Sequence, residues 1–183
     1  MLNLVFRNST SDKKYGSKFF EKILKTAARE LKIKGDFSVS VNLVSELKIR
    51  ALNKKYRNKD KPTDVLSFPL NFAQCAKFAD LCGHPAKAGT RTYAESITQL
   101  PDYLITDIGD IFVCLSIAKK EAKRENVSID KKLAQLTAHG FLHLLGYDHE
   151  KSKKDAEKMF ELESQILRKI PGFKSNIKYQ KSK

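Results

Sequence analysis

"TAHGFLHLLGYDHE", residues 137–150, holds three of the chain's four histidines. His139 and His143 stand four apart. On a helix both imidazoles then project from one face, one turn apart, close enough to share an ion. Gly146 follows three residues later. Glycine tolerates the left-handed conformation that ends helices, so the chain can turn back there. His149, three residues beyond the glycine, can then meet the other two. Three neutral nitrogens around Zn²⁺ leave the fourth tetrahedral position for water, which is the layout of a catalytic zinc. Water held there is a hydroxide source near neutral pH. Two histidines four apart are by themselves often mere packing, and a histidine past a helix stop is often a loop residue. All three, with the glycine between them, point to one metal ion per chain held by His139, His143 and His149.

The spacing H-x3-H-x2-G-x2-H also belongs to one class of zinc proteases, which carry Glu directly after the first histidine as general base. Here that position is Gly140. A metal-dependent hydrolase of peptides would lack its base.

Working outward, Asp130 is placed to cap the helix that carries His139 and His143 and stops near Gly146. A further helix over about 153–170 sets Ala156, Met159, Phe160, Glu163, Ile166, Leu167 and Ile170 along one side, and Pro171 and Gly172 end it. Upstream, "DIFVCLS" (110–116) reads as a buried strand, followed by helix over 117–125. "NLVF" (3–6) is a short strand. Residues 17–32 form an amphipathic helix, and "FSVSVNLV" (37–44) alternates as a strand does. Ser45 can cap a helix to about Tyr56, with Leu47, Ala51, Leu52 and Tyr56 on its buried side. "NKDKPTD" (58–64) is turn chemistry, and "VLSFPL" (65–70) is extended. Residues 71–106 read as an irregular excursion from the core. Interleaved strands and helices over one compact length argue a single sheet with helices packed on it: one domain over 1–170, then a basic tail over 171–183.

The composition narrows the function classes. A chain of 183 residues, 41% hydrophobic and 31% charged, reads as one globular domain. No run of about 18 apolar residues exists to span a membrane. "MLNLVFRNST" lacks the layout of a signal peptide. The cysteines (Cys75, Cys82, Cys114) are odd in number and show no framework spacing. The expected location is the cytoplasm. The net charge of +14 is uneven: +9 over residues 1–70, −1 over 71–130 and +6 over 131–183. Such a balance attracts polyanions, nucleic acid first among them. A lysine-rich, well-solvated surface is the blander alternative.

"HGFLHLLGYDH" (139–149) resembles the signature of the YbeY family of zinc-dependent endoribonucleases, bacterial rRNA maturation factors. "LNKKYRNKDKPTDVLSFP" (52–69) looks like that family's second signature, "IGDIFVC" (108–114) its third, and "MFELESQIL" (159–167) its closing helix. The resemblance covers most of residues 37–170. It implies an α+β domain with a small mixed sheet surrounded by helices. It implies a three-histidine zinc site, one Zn²⁺ on His139, His143 and His149, at a helix C-terminal end. It implies an arginine at the position of Arg57, near the metal and important for activity. RNA is then the substrate, as rRNA or the ribosomal small subunit, in processing of the 16S rRNA 3′ end and in ribosome quality control. The stretch between Pro69 and Ile108 is longer than expected for the family, and no role carries over to it.

The chemistry of Arg57 agrees. RNA cleavage passes through a phosphorane-like state with added negative charge, and a guanidinium offers paired donors to such oxygens. Amid Lys54, Lys55, Lys59 and Lys61 it also suits a solvated face. Asp148 and Glu150, flanking His149, could orient ligands or merely serve the turn. Cys75, Cys82 and His84 have loose spacing for a second metal. Cys114 reads as a small buried residue, Met159 as core, and Tyr147 as packing beside the site. Two rivals remain: a non-catalytic, zinc-stabilised ribosome-assembly factor, and a metal-dependent hydrolase of another substrate. No obvious general base stands beside the metal to decide.

Overall fold

The computed structural model describes residues 1–70 and 106–173. Among these it shows an α+β arrangement of four strands and five helices. In chain order these are β1 (Leu2–Asn8), α1 (Ser17–Glu30), β2 (Phe37–Val44), α2 (Glu46–Arg57) and β3 (Val65–Pro69). β4 (Thr106–Cys114), α3 (Leu115–Arg124), α4 (Ile129–Leu144) and α5 (Lys153–Lys169) follow. The sheet order is β1-β2-β4-β3. β1, β2 and β4 run parallel, and β3 is antiparallel to β4. The excursion expected at 71–106, and the Cys75, Cys82 and His84 trio, lie outside the described residues apart from Thr106, which begins β4.

Alternation decides which face of the sheet is inside. Phe37, Val39, Val41 and Leu43 of β2 are buried on the face that receives α1, α4 and α5. From α1, Phe20, Ile23, Leu24 and Ala27 fill the same layer at helical spacing. The opposite face carries a smaller cluster of Val44, Ile49, Leu66 and Cys114, with Leu52, Phe68, Phe112 and Ile117 against it. There α2 lies. Between its pairs with Ser38 and Ser40, β4 has one more residue than β2, a bulge. Gly109 sits in it at φ +125°, with Phe68 O only 2.2 Å from where a Cβ would stand. The bulge lets Ile108 and Ile111, three apart, both face the core.

Several boundaries differ from the sequence expectations. The cap of α4 is Ser128, whose hydroxyl accepts from the Lys131 amide. Asp130 stands in the first turn instead and accepts the Tyr15 hydroxyl at 2.6 Å. Leu115 and Ser116 begin α3 rather than extending β4. The largest difference is the face of α2. Leu47 is 80% and Tyr56 56% exposed, and Ala51 is exposed as well. The inward residues are Ile49 and Asn53, with Leu52 partly covered. Asn53 is buried because its amide donates to Lys61 O at 2.7 Å, tying the 58–64 loop to the helix.

α4 runs through the middle of the structure and packs against α1, α3, α5, β3 and β4. Gly140 allows its close approach. A Cβ there would stand 2.9 Å from both Ile111 Cγ2 and Ser67 Oγ. This carries the C-terminal end of α4 to the β3 edge, where the α2 C-terminus also arrives.

Candidate metal centre

The end of α4 is a Schellman motif. The Gly146 amide donates to His143 O at 3.0 Å and the Tyr147 amide to Leu142 O at 3.1 Å. Gly146 adopts φ +85°, which a side chain would resist. The chain reverses there. Asp148 then accepts the Glu150 amide at 2.9 Å, closing a second small turn. The two turns return His149 to the last turn of the helix.

The three imidazoles meet. Ring centroids are 4.7 Å apart for His139 and His143, 5.1 Å for His139 and His149, and 5.2 Å for His143 and His149. Each ring offers one ligand nitrogen, and these nitrogens all lie within 4.8 Å of one another. His139 Nε2 and His143 Nε2 are 3.1 Å apart. Three nitrogens about 2.0–2.1 Å from one tetrahedral ion stand about 3.4 Å apart, so this group suits a small divalent cation. Burial and then the neighbouring His139 and His149 hold His143 down to about pKa 4. Burial and then His139 lower His149 in the same direction. Both are neutral near pH 7, with lone pairs free to ligate.

Two α5 residues hold two of these rings, those of His139 and His149. Glu163, 1% exposed, accepts from His139 Nδ1 through Oε2 at 2.9 Å. A proton on Nδ1 leaves the Nε2 lone pair aimed at the other histidines. Phe160 stacks on His149, with centroids 5.5 Å apart and planes at 24°. Sequence reasoning placed Glu163 on the apolar side of its helix and gave it no role. A carboxylate between Met159 and Ile166 on a buried face was the available signal. Asp148 serves the turn and Glu150 faces outward; the carboxylate bonded to one of the three rings is Glu163. Its other oxygen, Oε1, is buried without a partner. A cation bound through His139 would compensate that buried negative charge.

Among the described residues, Arg57 is linked to this group only through Glu150, the residue after His149. It is the last residue of α2, followed by Asn58 in the left-handed conformation. Its Nη2 donates to Glu150 Oε1 at 3.3 Å, one residue beyond His149. Glu150 is mostly exposed and Arg57 half so, and such a pair is loose. Cys114 and Met159 are buried in the core, and Tyr147 packs partly buried against it.

The Gly140 packing separates this centre from the zinc proteases that share its spacing. The position of their catalytic glutamate points here into the sheet, where no side chain fits. Comparison with known proteins agrees. The family described as Endoribonuclease YbeY matches residues 5–171. A protein named Endoribonuclease YbeY from Persephonella marina is 30% identical over 94% of this chain and 95% of its own. One of the same name from Thermoanaerobacter pseudethanolicus is 37% identical over 82% of this chain and 84% of its own. The solution structure of TM1509 from Thermotoga maritima superposes with a TM-score of 0.56 at 28% identity, covering 97% of this chain and all of that one. With the histidine signature, the Arg57 segment and the α5 segment all inside the matched span, the chain belongs to the YbeY endoribonuclease family.

Proposed function

We propose that this protein is a zinc-dependent endoribonuclease that prefers single strands and acts in the cytoplasm on 16S rRNA 3′ ends and in ribosome quality control. The observation that carries the reading is the convergence of the His139, His143 and His149 imidazoles, with Arg57 paired to the adjoining Glu150, in a protein of net charge +14. His139, His143 and His149 would hold the metal, with Glu163 fixing the tautomer of His139. A bound zinc supplies Lewis-acid polarisation and a hydroxide source at neutral pH. Arg57 would donate to phosphate oxygens as charge develops on them. The lysine-rich surface would hold the backbone through phosphates, without reading sequence. On the same reading the catalytic domain spans 1–170, with 71–106 as an insertion and 171–183 as a basic tail. Among the described residues no helix is long and apolar enough to cross a membrane.

The test is direct. Zinc-loaded protein is offered structured rRNA and, separately, casein, with the His143→Ala protein alongside. The expected result is cleaved RNA, intact casein and an inactive variant. RNA left uncut by the native protein, or cut equally by His143→Ala, would overturn this reading: cut casein would then favour a hydrolase of peptides, and neither substrate cut would favour the assembly factor.

A further inference from the structure

Beside the metal centre, on the outer face of the sheet, three aromatic rings form a ladder. Phe68 meets Phe112 edge-on, with centroids 5.6 Å apart. Tyr56 meets Phe68 in the same way at 4.9 Å. The lower two rings are partly covered by the α2 side of the core. The upper ring is 56% exposed. An aromatic ring left in water gains nothing from burial, yet this one is braced from beneath and so held in one orientation. Lys55 rests its ammonium 5.1 Å from the Tyr56 ring centroid. That face is therefore open to a charged, hydrated group.

The surroundings are cationic. Lys54, Lys55, Arg57, Lys59 and Lys61 fall within eight residues. Asp60 is taken by Arg50 and Lys54. This leaves Lys55, Lys59 and Lys61 without an ion pair among the described residues. A flat apolar face ringed by unneutralised cations is the complement of a nucleotide, whose base is flat and apolar-faced and whose phosphate is anionic. A hydrophobic protein surface would not want the lysines. A phosphate alone would not want the ring.

We infer that Tyr56 is a stacking platform for one unpaired nucleobase of the RNA, placed so that the adjoining phosphate meets Lys55 and Arg57. This rests on RNA being the substrate. The base lies on the ring, and Lys55 moves from the ring to the phosphate. Because Arg57 is the next residue and reaches the Glu150 that follows His149, the stacked base sets which phosphodiester faces the histidines. Every base has a π-face, so the platform is tolerant of sequence. A base inside a duplex is already stacked on both sides and cannot use it, which gives the preference for single strands a physical origin.

The experiment compares two probes on the zinc-loaded full chain by fluorescence anisotropy. One is single-stranded 2′-O-methyl oligoadenylate; the other is an abasic strand of equal length and charge. Tyr56→Ala is expected to weaken oligoadenylate binding by about tenfold, the order of one lost stacking contact, and to leave the abasic strand unaffected. Tyr56→Leu, which keeps apolar cover on Phe68 and so guards against misfolding, should behave like Tyr56→Ala. Tyr56→Phe should bind as the native protein does. Lys55→Gln should weaken both probes alike, since a phosphate contact ignores the base. The platform is overturned if Tyr56→Leu binds oligoadenylate normally, if it loses both probes equally, or if Tyr56→Phe fails to restore binding. If the native protein binds neither probe, the RNA reading itself falls and takes the platform with it.

Discussion

The two sides of the metal centre are built on opposite principles. On the α4–α5 side the histidines are half-buried, two of them are held neutral by their surroundings, and α5 clamps the rings through Glu163 and Phe160. On the α2–β3 side Arg57, Tyr56 and the lysines stand in solvent, and of them only Lys54 and Arg57 hold loose surface ion pairs among the described residues. One side is arranged before anything binds. The other is arranged to give way to a polyanion. Changes on the first side should therefore show in metal content and stability, and changes on the second in rate and RNA affinity with the fold untouched.

The sharpest challenge to that division is Arg57→Ala. It should lower the cleavage rate by on the order of 10²–10³ if the guanidinium acts as a single transition-state donor. Melting temperature and zinc content should not change. Arg57→Lys should recover only part, because a point charge lacks the paired fork. Loss of zinc from Arg57→Ala would erase the distinction between the two sides.

Glu163→Gln probes the buried side. The amide can still accept from His139 Nδ1 but carries no charge to answer the metal. Zinc affinity, measured by competition with a chelator, should fall by roughly 10–100-fold. The metal-free variant should melt no lower than the metal-free native protein, since a neutral amide replaces a carboxylate with one unpartnered buried oxygen. Unaltered affinity would make Glu163 a packing residue only.

The depressed pKa of His143 predicts a pH effect confined to the metal-free state. A histidine held at about 4 when folded and near its ordinary value when unfolded favours the fold while neutral. That contribution is whole above about pH 6.5, erodes as pH falls and is gone below about 4, with a loss on the order of 1–3 kcal/mol. Melts of chelated protein from pH 7 to 4 should show it, and His143→Ala should flatten it. The smallest expected effect is Glu150→Gln. An exposed ion pair of this kind contributes under about 1 kcal/mol, so the melt should barely move. A large loss would mean that the Arg57 corner is structural after all.

Local spacing alone determined much of this protein. The facing of His139 and His143, and the spans of β2, α1 and α5, follow from 2.0 and 3.6 residue periods, which a chain carries whatever surrounds it, and the glycine stop before His149 is equally local. So β2 matches its expected span, residues 37–44, and α1 and α5 differ by a residue or two at their ends. What tertiary structure decided is which partner each face met. α2 carries apolar residues on more than one side, and only its seat on the outer face of β3 and β4 chose Ile49 over Leu47 and left Tyr56 in water. Ser128 and Asp130 both suit a helix start. The Tyr15 hydroxyl, 115 residues away in the chain, claimed Asp130. Gly140 could be read as a missing base, but its cause lies in Ile111 and Ser67 on two other strands. Glu163 and His139 are 24 residues apart on different helices, and no period links them. Spacing fixes which residues share a face within one element, whereas the choice of neighbour depends on how the elements pack, and that choice set Glu163 against His139.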